Sequence, residues 1–244
     1  MLSSTFRSSR SVRMHPCQGS KSPTHQKKNL YARADAYANK HPGESLARRL
    51  SYWRYRQIVR RALKQASEPN LVLDLPCGRG RLWPLLAEQS NRVILAADKS
   101  SDMLAMAQAT QPAHVLARIR IFQTSVFDID LSDNSVDSIF CMHFLHRFGA
   151  SEHRLAMLRE FHRVARDTLI VSLWVDGNYE AWRRKRLPKK VAASEGRDKQ
   201  QKCFVTPKTT IESEFKEVGF QILAHQNCLP GLAMWRVYVL RKAD

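Results

Sequence analysis

Leu71-Val72-Leu73-Asp74-Leu75-Pro76-Cys77-Gly78-Arg79-Gly80-Arg81 is an apolar run that breaks into a small-residue turn, and its reading decides the fold. Leu71 to Leu75 reads as a buried parallel strand and Leu82 to Ala87 as the helix after it, so Gly78 and Gly80 fall in the turn between them. Glycine at a strand-to-helix turn lets the backbone approach a bound molecule closely and tolerates positive φ. The first N–H groups of the next helix point to the same place. Asp74, at the strand's end, can accept hydrogen bonds from that turn or from a ligand's amino group.

About twenty residues further on, Arg92-Val93-Ile94-Leu95-Ala96-Ala97-Asp98 repeats the pattern of an apolar strand ending in a carboxylate. A carboxylate at the tip of the second strand, roughly 20 residues past the glycines, is the usual partner of ribose hydroxyls in nucleotide-binding α/β folds. A dinucleotide fingerprint needs a third glycine for close helix packing, but Trp83 stands there, which weakens a dehydrogenase reading. Ser100 or Ser101 caps a helix through Met103, Leu104 and Ala107. Strands are expected at 119–124, 136–142 and 167–174. Glu152 to Arg166 reads as an amphipathic helix with Leu155, Leu158, Phe161, His162 and Ala165 on its buried side. The pattern then stops in a basic stretch, Asp176 to Val205, holding Arg183-Arg184-Lys185-Arg186. Thr209 to Val218 resumes as a helix capped by Gly219, and 220–229 with 234–240 reads as a closing antiparallel hairpin.

On Leu73 to Arg81, on Val93 to Ala107 and on Val136 to His146, three motifs in order, the chain resembles the class I S-adenosylmethionine-dependent methyltransferases, and within them the ubiquinone and menaquinone biosynthesis branch. The resemblance covers about residues 69–240. It implies an α/β fold, a Rossmann-like seven-stranded methyltransferase sheet with helices on both faces, and S-adenosyl-L-methionine as cofactor. Pro76 departs from the family, which commonly has its first glycine there. The cofactor set carried over is Asp74, Pro76, Cys77, Gly78, Gly80, Asp98, Lys99, Met103, Ser125, Val126, Phe127 and Met142. Met103 is expected against the adenine. Ser125 stands where the family often has an acidic residue for the exocyclic amine, and a hydroxyl bonds that amine more weakly. The end of the fourth strand should face the methyl group, which makes His143 and His146, three residues apart, candidates for catalysis. The resemblance also implies a lid before the first strand, with Tyr31, Tyr37, Tyr52 and Tyr55 as candidates to touch ligand. An insertion after the fifth strand is implied to shape the acceptor site.

Of 244 residues, 43% are apolar, enough to bury a sizeable α/β core with appendages. No run is long enough to span a membrane. Five cysteines without a C-x-x-C pair suit a reducing, cytoplasmic setting, and no metal site is expected. The net charge of +18 is uneven: residues 1–68 carry +12, 69–176 carry −1 and 177–244 carry +7. Basic appendages on a neutral core point to an acidic macromolecular acceptor, protein first and RNA second, with a small molecule as the alternative. The domain reading is a disordered basic extension over 1–30, a helical lid over 31–68 and the methyltransferase domain over 69–244, with a basic acceptor-side insertion at 177–205. A helix is expected from Asn29 to Ala38 and a second from Glu44 to Ala66, the latter with an apolar stripe of Leu46, Leu50, Trp53, Val59, Leu63 and Ala66 packed beside the first strand.

If the resemblance holds, the reaction is an in-line displacement at the methyl of an already activated sulfonium. The protein then has to align the nucleophile and exclude water. Nucleobase-amine methyltransferases of this fold carry an acidic or Asn residue followed by Pro-Pro and an aromatic after the fourth strand, and 5-methylcytosine enzymes carry a Pro-Cys nucleophile. Cys141-Met142-His143-Phe144 matches neither. Lysine or another amine of an acidic protein, such as a translation factor, is the leading acceptor, with a metabolite or quinone precursor, or RNA, as alternatives. Trp174, Tyr179 and Trp182 are candidate walls, and Asp176, Tyr179 and the two histidines complete the catalytic candidates.

Overall fold

The computed structural model describes residues 46–186 and 203–243. The helix expected at Asn29 to Ala38, the 1–30 extension, Tyr31, Tyr37 and the middle of the basic insertion lie outside the described residues. The chain divides into two compact units, Met1–Arg49 and Leu50–Asp244, and the second holds every strand.

Seven strands form one sheet: β1 (Leu71–Asp74), β2 (Val93–Asp98), β3 (Ile119–Gln123), β4 (Val136–Cys141), β5 (Ala165–Trp174), β6 (Phe220–Asn227) and β7 (Trp235–Lys242). Their order across the sheet is β3-β2-β1-β4-β5-β7-β6. The first five are mutually parallel and β7 runs antiparallel to both of its neighbours. The strand order therefore reverses between β1 and β4, and the crevice outside their carboxyl ends is where an open α/β sheet takes a ligand.

Helices cover both faces, because the central strands are apolar on both sides and must be buried twice. One core packs α5 (Ser151–Val164) and α7 (Lys208–Glu217) on the sheet through Met157, Leu158, Phe161, Ile211 and Phe215. The other packs α1 (Leu46–Gln65), the single turn α2 (Trp83–Leu86), α3 (Ser101–Thr110) and α4 (Ala113–Leu116), with Trp83 fully buried among them.

The apolar stripe expected along α1 is corrected by the helical screw. Val59, Ala62, Leu63 and Ala66 are buried, whereas Leu50 is 63% and Trp53 57% exposed. At 3.6 residues per turn, Leu50 and Trp53 face away from Val59, Leu63 and Ala66. Tyr55, one turn before Val59, lies on the buried side. On α5 the buried side is Arg154, Met157, Leu158, Phe161 and Val164, not the expected set with Leu155 and His162. The helix stops at Val164, two residues before the expected end, and β5 begins at once with Ala165. Arg154 is buried because Glu214 of α7 faces it: Nε donates to Oε2 at 2.8 Å, and Nη1 donates to the carbonyls of Phe148 and Gly149.

Candidate active site

The ends of β1 and β2 hold the first cluster. Gly78 N–H donates to Asp98 Oδ2 at 3.0 Å, and Ser100 N–H donates to Oδ1 at 2.9 Å. Cys77 N–H donates to the Ala97 carbonyl at 2.8 Å, pinning the turn after Pro76 onto β2. Gly78 has φ +55° and Gly80 φ +66°, the left-handed conformation that glycine supplies. Their surroundings differ. A Cβ on Gly78 would meet nothing within 4 Å, whereas one on Gly80 would lie 2.5 Å from the Trp83 ring. Gly80 thus makes room for Trp83, and Gly78 faces the open crevice with its amide directed at a carboxylate. An open glycine edge beside a carboxylate with spare lone pairs fits a ribosyl ligand.

Asp74 is buried, and its single hydrogen-bond donor among the described residues is Trp83 Nε1–H, at 3.0 Å. Burial raises its pKa to about 7, the Trp83 bond opposes this and the Asp98 charge adds to it. Burial likewise pushes the Cys77 thiol up, which keeps it a thiol. Ser100 caps α3 as expected, its Oγ accepting from Met103 N–H at 3.3 Å, and Met103 is half-buried on the first turn. The Lys99 side chain is exposed while its carbonyl accepts from Gln123 Nε2.

The third-strand candidates are less unified. Ser125 Oγ accepts from Phe127 N–H, Val126 is buried in the core on the α5 side, and Phe127 packs edge-on against Phe148 at 5.6 Å. Met142 is buried with Trp83 and Phe140 on the opposite core.

Beyond β4 stands an aromatic wall. His143 has φ +59°, strained for a non-glycine residue, and its N–H donates to Ser172 Oγ on β5 at 2.8 Å. That conformation directs the ring at Tyr55, whose hydroxyl lies 2.7 Å from His143 Nε2. Trp235 of β7 packs edge-on against His143 at 4.3 Å and against His146 at 4.9 Å. His146, on the 3-10 turn Leu145–Arg147, stacks on Trp174 at 4.8 Å and 16°, and the Arg184 guanidinium covers Trp174 at 4.8 Å. Burial lowers the pKa of both histidines to about 4, assisted at His143 by the other histidine and at both by nearby arginines. His143 keeps exposed surface while crowded by protein, as expected of a group at the bottom of a cleft. Burial raises the Tyr55 hydroxyl, against the pull of Arg81, so it stays a phenol. Both histidines are neutral at pH 7.

Asp176 and Tyr179 lie apart from this wall. Asp176 Oδ1 accepts from Lys208 N–H at 3.0 Å at the start of α7. Tyr179 opens α6 (Tyr179–Arg186), and both residues line a pocket of about 560 Å3 together with Trp182 and Lys185. The catalytic candidates therefore divide into a β4 pair and a β5–α6 pair. Ser172 and Trp235 were not among the residues expected at the site, and no local signal joins Tyr55 to His143 across 88 positions. Among the described residues no helix is long and apolar enough to cross a membrane.

A family model described as a methyltransferase domain matches residues 72–168, from β1 into β5. No curated protein gives a significant match. Among solved structures, the chain is similar to the magnesium protoporphyrin IX methyltransferase of Synechocystis PCC 6803 with bound SAH (17% identity, TM-score 0.64, covering 89% of this chain and 95% of that one). It is also similar to an S-adenosylmethionine-dependent methyltransferase of Clostridium acetobutylicum (13%, TM-score 0.60, 89% and 100%) and to one of Methanosarcina mazei (16%, TM-score 0.57, 71% and 92%). Residues 72–168, which hold the Gly78–Asp98 crevice, thus carry a methyltransferase domain, and the chain has the Rossmann-like fold of solved S-adenosylmethionine-dependent methyltransferases.

Proposed function

We propose that the chain N-methylates an amine of an acidic protein, a lysine side chain first, with a translation factor as the kind of protein. The observation that carries this reading is the neutral His143–Tyr55 pair at the end of β4, walled by Trp235, His146 and Trp174 and continued by the cations of α6. S-adenosylmethionine supplies an electrophilic methyl on a sulfonium. Asp98 and Gly78 would hold the ribose edge, while the buried Asp74 carboxyl at the end of β1 holds Trp83 behind them.

The pKa of His143 limits its role. A lysine ammonium at about 10.4 cannot be deprotonated usefully by a group at about 4. The acceptor must therefore arrive neutral, at a cost of about 4.6 kcal/mol from pH 7 at about 1.36 kcal/mol per unit. An apolar wall offsets part of that by disfavouring the ammonium. His143 and Tyr55 then act as neutral hydrogen-bond partners that orient the amine's N–H bonds and turn its lone pair toward the methyl. Bulk water takes the proton before transfer, and no side chain need hold it.

Resemblance of 136–146 to quinone-biosynthesis enzymes supports the second reading, a small metabolite. Tritiated S-adenosylmethionine added to lysate with the protein, followed by protease, nuclease or solvent extraction, decides between them. Label released by protease is expected; label confined to the solvent extract or released by nuclease overturns the protein reading.

A further inference from the structure

The face formed by α6 and the 229–232 loop has an apolar centre and a cationic rim, and the methyl-transfer step above places no reacting group on it. Tyr179 and Trp182 stack at 5.7 Å and 29°, yet each remains about half exposed. Backbone bonds from Tyr179 N–H to the Gly231 carbonyl and from Glu180 N–H to the Leu232 carbonyl fix the loop against the helix. They bring Leu229 and Leu232, 44% and 54% exposed, to the same surface. Large apolar side chains left exposed together mark an interaction site.

Charge defines the rim. The helix ends in Arg183-Arg184-Lys185-Arg186, and its one carboxylate, Glu180, is occupied by Met234 N–H at 3.0 Å. Arg184 is committed inward, over Trp174 and to the Cys203 carbonyl. Arg183, Lys185 and Arg186 pair with no carboxylate among the described residues, and Arg186 lies over Trp182 at 4.2 Å. Tyr, Trp and Arg around a dry centre are the residues that carry binding energy in protein interfaces. Single-stranded nucleic acid also uses aromatics and cations, but it stacks bases on open ring faces and has no use for leucines. Here Tyr179 and Arg186 already pack on Trp182, and two leucines share the surface.

We infer that this face docks an acidic peptide segment of the acceptor protein, an apolar side chain of that segment entering the Tyr179–Trp182 pocket while its carboxylates pair with Arg183, Lys185 and Arg186. The inference rests on the reading of an acidic protein acceptor and gives that acceptor its recognition element. Contiguous ring contacts from Arg184 through Trp174, His146 and Trp235 to His143 connect the docking face with the end of β4.

The test is fluorescence anisotropy at physiological salt with the full chain and no cofactor. The probes are a labelled Glu/Asp peptide with a central Leu-Phe pair, the same peptide with Ala-Ala at the centre, and a single-stranded RNA of matched charge. The Leu-Phe peptide is expected to bind tightest, and the Ala-Ala exchange, Trp182→Ala, and the Arg183→Glu/Arg186→Glu pair are each expected to weaken it about tenfold. The melting temperature should hold, since these side chains are exposed. Three results overturn the inference: RNA binding tighter than the peptide and lost in the same variants, peptide binding indifferent to Trp182→Ala, or no peptide binding. Tritium label still released by protease in any of those cases would leave lysine methylation standing without this docking site.

Discussion

Asp98→Ala removes a carboxylate whose two oxygens already organise the crevice, one taking Gly78 N–H at 3.0 Å and the other Ser100 N–H at 2.9 Å. In the proposed site a ribose diol would donate to the remaining lone pairs of those oxygens. Bonds to an ionised acceptor contribute about 1.5 kcal/mol each at the low end. Losing two costs about 3 kcal/mol, or roughly a hundredfold in Kd. Gly78 and Ser100 are half-exposed, so their freed N–H groups turn to water and the fold keeps its stability. Asp98→Asn retains the shape and one acceptor oxygen but not the charge, and is expected to fall between. Calorimetry with S-adenosylhomocysteine reads the effect without any methyl acceptor. Binding by Asp98→Ala within about threefold of the parent, at an unchanged melting temperature, would refute the assignment of this carboxylate to the ribose.

Gly80→Ala places a methyl 2.5 Å from the Trp83 ring at φ +66°, so Trp83 must leave Asp74; thermal melting should show a loss of about 1–3 kcal/mol, with a change in tryptophan fluorescence. Arg154→Ala strands Glu214 in the core, with both side chains 5% exposed or less, and urea unfolding should show about 3–5 kcal/mol lost. Asp74, raised to about 7 from 3.8, stabilises the fold fully below the unfolded value and loses that contribution as pH rises through about 7. Asp74→Asn keeps an acceptor for Trp83, so the melting temperature of the parent minus that of the variant should fall between pH 5 and pH 8; a flat difference would contradict the raised pKa.

The parallel half of the fold was legible because its signals are local. Leu71 to Gly80 puts an apolar run, a carboxylate and a glycine turn within ten residues, Val93 to Asp98 ends an apolar run on a carboxylate, and Ser100 stands where a helix cap must. Less local features did not show. Arg154 reads as a solvent-side charge on α5 until Glu214, sixty positions later, supplies its counterion. Tyr55 reads as one tyrosine among several until the left-handed turn at His143 aims a ring at it. The α1 stripe fails where two apolar triads are joined across a gap that the screw of the helix does not respect. Trp235 gave no sign of its place in the wall, because only the antiparallel register Trp174↔Trp235 brings it beside His143 and His146.

That register has a consequence for synthesis. β5 pairs along Thr168 to Trp174 with a strand that begins at Trp235, so about sixty more residues must be translated before its open edge is covered. Until then a nascent chain presents Leu169-Ile170-Val171, three apolar residues in extended form, to whatever strand it meets first, which is a template for self-association. The growing polypeptide should lean on a ribosome-bound chaperone over that interval. Fragments ending before Trp235 should collect as inclusion bodies even though the matched methyltransferase domain, residues 72–168, is already fully translated.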